Sequence, residues 1–168
     1  MIALGGTLAG CAKDGSKERN YATPDSLCGV DVNSNLLSQI LPPGDRVSTH
    51  RSFPDGGTER CTVIVDKNKV AIFADQEWLS GRDGLLFAAP SSVRSNPNHV
   101  TENEKYLYAD AGAAGRTDNC TDPAHPDQHL FAIIQSFTND REDPRTMGKL
   151  IKAYTKQVEQ SKACHPKP

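Results

Sequence analysis

The chain has 168 residues, a formal charge of -2, 36% hydrophobic residues and 24% charged residues. That profile fits one soluble globular domain with a short tail and excludes a fibrous or wholly disordered chain. The even charge balance argues against nucleic acid as a partner, and no stretch approaches the ~20 apolar residues of a membrane-spanning helix. A domain of roughly 140 to 150 residues buries about two-thirds of the surface its unfolded chain exposes, so a core forms without metal or staples.

Residues 1–10, "MIALGGTLAG", carry no charge and run into Leu8-Ala9-Gly10-Cys11. That string resembles the bacterial lipobox: small residues let the backbone fit a signal peptidase, and the thiol takes the diacylglyceryl group. No Lys or Arg precedes the apolar run, which is shorter than a usual signal core. The expectation is therefore an upstream start or a trimmed leader. The alternative, an ordinary first strand with Cys11 as a buried thiol, fits less well, because "AKDGSKERNYATP" (Ala12 to Pro24) has five charges and little to bury. It reads as a tether. This divides the chain into residues 1–10, a signal-peptide remnant; 11–24, the lipidated Cys11 and a flexible tether; and 25–168, a single globular domain. If Cys11 carries lipid, Cys28, Cys61, Cys120 and Cys164 remain, an even number in an exported protein and the makings of two disulfides.

Thr23 with Pro24 behind it has the form of a helix start, and Leu27, Leu36, Leu37, Ile40 and Leu41 supply apolar residues before "LPPGD" stops any helix. One or two short helices are expected there, with Cys28 on the first. Arg46 to Phe53, Arg60 to Asp66 and Lys69 to Gln76 have strand composition, joined by turns at Asp55-Gly56-Gly57 and Lys67-Asn68. Alternation puts Cys61, Val63 and Val65 on one face and Thr62 and Ile64 on the other. Residues 81–119 are harder to read: a short apolar run, a long polar loop, then "YLYADAGAAGRTD" as a strand of small residues. His129 to Phe137 is apolar on both sides and predicts a central strand. In the last segment Asp143 caps, Pro144 takes the first helical position, and Met147, Leu150, Ile151, Tyr154 and Val158 recur on one face opposite Lys149, Lys152, Lys156 and Glu159. With no alternating βαβ pattern, the expected fold is α+β, an antiparallel sheet flanked by N-terminal short helices and a C-terminal amphipathic helix. Sequential disulfides, Cys28 with Cys61 and Cys120 with Cys164, are geometrically the simplest of the three pairings. Cys164 ends the helix that should cross the strand after Cys120.

"LAGC", "LCGV", "RCTVIVD", "NC", "HLFAIIQSF" and "SKAC", in that order, resemble a family of small actinobacterial lipoproteins of unknown function. Proteins of this general build are similar to the Mog1/PsbP fold, an antiparallel sheet covered by helices. The resemblance implies an architecture and brings no catalytic residues.

The search for chemistry rests on the residues alone. His125 and His129 have helical ligand spacing, but Pro123 and Pro126 exclude a helix, which leaves a loop zinc site with Asp122 or Asp127 against a solvated loop. Asp75, Glu77 and Asp83 could form a carboxylate pair of the glycosidase kind, although a polar strand end accounts for them as well. Ser34, Ser91, Ser92 and Ser95 have no nucleophile elbow around them, and oxidised cysteines are not resting nucleophiles. Trp78, with Phe87 nine residues on, marks a candidate ligand or partner surface; the alternative is a Trp that closes the rim of the core. The loop Ser91 to Lys105 is long and belongs on the surface. The expectation is thus a protein with no catalytic residue, cofactor or resident metal, held on the extracytoplasmic face of the cell membrane by lipid on Cys11. It would serve as a binding or accessory module for a protein, cell-envelope or small amphiphilic partner. The alternative is a small secreted hydrolase with a carboxylate or histidine site.

Overall fold

A computed structural model describes residues 18–80, 99–101, 103–138, 140–141 and 143–165. The chain first makes a two-stranded hairpin, β1 (Ser26–Leu27) and β2 (Val30–Asp31). Cys28 and Gly29 form its turn, both at positive φ (51° and 93°), the backbone that a two-residue hairpin needs. This corrects the expected helix around Cys28. Thr23-Pro24 is a plausible helix start, but the chain reverses four residues later so that Cys28 can reach Cys61. The described helix in this region is α1 (Ser34–Ile40), whose N-cap Asn33 accepts from the Leu36 amide at 3.1 Å.

The main sheet has seven antiparallel strands: β3 (Val47–Asp55), β4 (Thr58–Val65), β5 (Lys69–Ser80), β6 (His99–Val100), β7 (Tyr106–Tyr108), β8 (Gly112–Arg116) and β9 (Gln128–Ser136). Their spatial order is β3-β4-β5-β9-β8-β7-β6, so β9 is central, as its two-sided apolar character predicts. Two boundaries differ from the sequence reading. The third strand of the meander runs on through Trp78 to Ser80, and "YLYADAGAAGRTD" holds two strands rather than one, because the chain turns back between Tyr108 and Gly112, where the Ala109 amide donates to the Gly112 carbonyl at 2.8 Å.

The C-terminal helix, α2 (Pro144–Glu159), lies across one sheet face with its predicted stripe buried: Met147, Leu150, Ile151, Tyr154 and Val158 are all fully covered. Beneath them sit Cys61, Val63, Ile72, Ala74, Leu130, Ala132 and Ile134. The helix comes close to β7 and β8 because small residues stand at the contact. A Cβ on Gly115 would meet the Thr155 hydroxyl at 2.2 Å, and one on Gly148 would meet the Tyr108 ring at 2.8 Å. The opposite sheet face buries Leu107, Ala114, Phe131 and Ile133, and there Arg60 grips the buried Asp75 with two parallel hydrogen bonds, Nε to Oδ1 at 2.9 Å and Nη2 to Oδ2 at 2.6 Å.

The disulfides pair in sequence order. Cys28 bonds to Cys61 and Cys120 to Cys164, with Cα separations of 5.7 and 4.4 Å. Cys11 lies outside the described residues, but the end of the predicted tether is docked. Arg19 donates to the Ser38 and Leu41 carbonyls at the end of α1, at 2.6 and 2.5 Å, and the Tyr21 hydroxyl donates to the Pro42 carbonyl at 2.5 Å. A guanidinium suits that place, since the last carbonyls of a helix lack partners and carry partial negative charge.

Candidate functional site

Along β5, alternation sends Ile72, Ala74, Gln76 and Trp78 to the helix-covered face, and their cross-strand partners on β9 are Ser136, Ile134, Ala132 and Leu130. Helix α2 covers the first part of this face and ends at Glu159, leaving Gln76 and Trp78 to floor a groove beyond it. The groove has two adjoining compartments of about 240 and 360 Å³, which share Glu59, Gln76 and Ala163.

Each wall is held by one disulfide. Cys28–Cys61 fixes the β1–β2 turn, and Cys28, Gly29 and Val30 line the larger compartment. Cys120–Cys164 pins the segment after Cys120 to the one after α2, a link reinforced by the Thr121 amide donating to the Cys164 carbonyl at 3.2 Å. Asp122 and His125 on one side of that bridge and Ala163 on the other line the smaller compartment. The β3–β4 turn completes it with Asp55, Gly56 and Gly57, while Phe53, 68% exposed, stands at the mouth.

Trp78 and His125 are stacked, ring centroids 5.4 Å apart with an angle of 1° between their planes. His125 Nδ1 is 2.8 Å from Asp122 Oδ2, and Nε2 is 3.2 Å from the Gly56 carbonyl. Both neighbours accept hydrogen bonds, so an imidazolium donates to both and a neutral ring to one alone. The ring therefore bridges the compartment from the loop after Cys120 to the β3–β4 turn.

Asp55 and Asp122 are held in the ionised form. The Thr58 hydroxyl and the Gly57 amide lower Asp55 below the usual carboxylate range, and the Ala124 amide and His125 do the same for Asp122. Glu59 sits directly across from Gln76 in the β4–β5 register and pairs with Arg51 at 3.0 Å. Gln76 is only 4% exposed, and its Oε1 has no hydrogen-bond partner among the described residues. A buried acceptor left bare costs about 1 to 3 kcal/mol.

The expected site residues are placed unevenly. Trp78 is at the groove, and Cys28, Cys61, Cys120 and Cys164 form the two disulfides that brace its walls. Phe87, Asp83, Ser91, Ser92 and Ser95 lie outside the described residues. The two histidines of the proposed loop zinc site part company: His125 is stacked over Trp78, while His129 is on β9 opposite Leu79. Among the described residues no group of three or more His, Cys, Asp or Glu side chains is placed to hold a metal. Asp75 is tied to Arg60 on the other face of the sheet, away from Gln76. Gln76, Glu59 and Asp55 were not singled out from sequence. For Gln76 the signal was present: an amide two and four places after Ala74 and Ile72 stands on a face otherwise apolar. No family model, curated protein or solved structure matches this chain.

Proposed function

We propose that this chain is a lipid-anchored binding module of the extracytoplasmic membrane face. Cys11 would carry the lipid, and the groove over Gln76 and Trp78 would take the ligand. The observation that carries the binding reading is the groove itself, with a disulfide bracing each wall and the bare Gln76 acceptor on its floor. Disulfides also belong to oxidising compartments, which supports a place outside the cytoplasm. Lipidation gives the location a physical basis, since each buried methylene contributes about 0.8 kcal/mol and two or three acyl chains hold a protein on a bilayer.

Expressed with a complete signal peptide, the wild type should pellet with membranes and enter the detergent phase of a phase separation. Cys11→Ser should be soluble with an unchanged melting temperature. A membrane-bound Cys11→Ser protein, or a Cys11 found disulfide-bonded to another cysteine of the chain, would sink the anchor.

A further inference from the structure

The chemistry of the smaller compartment selects its ligand. Three carboxylates line it, Asp55, Glu59 and Asp122, and among the described residues no Lys or Arg does; His125 is the potential cation among them, already committed to Asp122 and Gly56. Glu59 pairs with Arg51, which lies in the other compartment, and Asp122 with His125, so even with the imidazole protonated the three carboxylates outnumber these partners and Asp55 adds uncancelled negative charge. Gln76 lines the floor, and its buried Oε1 has no hydrogen-bond partner among the described residues, an acceptor without a donor. Around these acceptors the walls are apolar and aromatic, with Trp78, Leu130 and Phe53. A cation with N–H donors on an aliphatic stem matches each term: charge to the carboxylates, hydrogen bond to Gln76, methylenes against the rings.

We propose that the compartment over Gln76 and Trp78 binds an alkylammonium or alkylguanidinium group, such as ends a lysine or arginine side chain or a free polyamine. The inference rests on the groove being a ligand site and adds the class of ligand. At about 240 Å³ the compartment suits one such group with its stem, whereas pockets for whole drug-sized ligands span roughly 300 to 1,000 Å³.

Trp78 is the only tryptophan in the chain, so its fluorescence reports on this compartment alone. The full-length chain is titrated with n-pentylammonium, and then, to separate the two sources, with a capped lysine amide and with spermidine. Neutral 1-pentanol and a neutral hexose serve as comparisons. Saturable changes are expected with the cations, at least about tenfold tighter than with pentanol. Tighter binding of the capped lysine points to a peptide partner, and of spermidine to a free polyamine. Asp122→Asn and Asp55→Asn should each weaken the cation about three- to tenfold, and Gln76→Met more than that, while Lys149→Gln, on the exposed side of α2, leaves it unchanged. Because Gln76→Met alters a buried position and Asp122 is hydrogen-bonded to the Ala124 amide and His125, the circular dichroism of both variants is compared with wild type, and the variant at exposed Asp55 stands on its own. Equal affinity for pentylammonium and pentanol, or insensitivity to both Asp substitutions, overturns the proposal. Saturable binding of the hexose with none of the cations overturns it too, while leaving the groove as a ligand site. The membrane partition of Cys11→Ser is independent of every one of these results.

Discussion

Tyr154 carries a hydroxyl into the middle of the core, fully buried, with no partner among the described residues. Burial, reinforced by the charges of Asp75 and Glu59, drives its pKa far above the usual tyrosine value. The ring is worth its place, but the oxygen is a cost. Tyr154→Phe should therefore raise stability by about 1 kcal/mol, seen as a higher urea midpoint with an unchanged slope; a lower midpoint would mean that the hydroxyl has a partner in solution. Asp143 shows the opposite economy. Its carboxylate accepts from the Thr146 hydroxyl at 2.6 Å and the Thr146 amide at 2.9 Å, which lowers its pKa in the folded state. Between the ordinary carboxylate value and that lower one, the unfolded chain takes up a proton that the native chain refuses. The stabilisation is thus present above about pH 4 and lost as pH falls through the folded value. Asp143→Asn keeps a capping oxygen without titrating, so unfolding free energy measured from pH 6 to 2.5 should fall less steeply for the variant than for wild type.

At the scale of elements, α2 was legible almost to the residue, because its cap, its proline and its stripe are all local signals. Its stripe predicts that Ile151→Ala costs roughly 2 to 5 kcal/mol while Lys152→Ala costs little, both read by chemical denaturation. Equal, small effects would put the wrong face of the helix on the sheet. Gly148 was not legible. In isolation Ala is the better helix residue by about 1 kcal/mol, yet the Tyr108 ring stands where its methyl must go. Gly148→Ala should therefore destabilise, by about 1 to 3 kcal/mol, and a rise in melting temperature would show that the ring gives way freely. The hairpin at Cys28 escaped the sequence reading for a similar reason: what decides it is a bond to a residue on β4, not anything within the window from Thr23 to Ile40. The candidate site shares this character. Trp78 and His125 each drew notice, but the β3–β4 turn and the Cys120–Cys164 bridge that bring them together are long-range, and no periodicity encodes them.

For the molecule as a whole, the two disulfides close separations of 33 and 44 residues, each worth about 4 kcal/mol in the chain-entropy account. A Cys120→Ala, Cys164→Ala double variant should lose about that much in urea unfolding and, by freeing the loop that carries His125, quench or shift the emission of Trp78 even while folded. Unchanged emission would show that the loop holds itself over the indole. The order of the pairs has a consequence for assembly. The bridges are neither nested nor crossed, and a chain is made from its N-terminus. Cys28 and Cys61 are therefore both available before Cys120 exists, and, with Cys11 taken up by lipid as proposed, oxidation in order of emergence gives the native pairs without reshuffling. The sheet enjoys no such order. Strands β3, β4 and β5 can pair as soon as they are made, but the other edge of β5 stays open until β9 arrives some fifty residues later. An open edge is a template for a second chain. The hazardous interval in making this protein is thus the wait for β9, and aggregation during synthesis should depend on protecting one strand edge far more than on sorting cysteines.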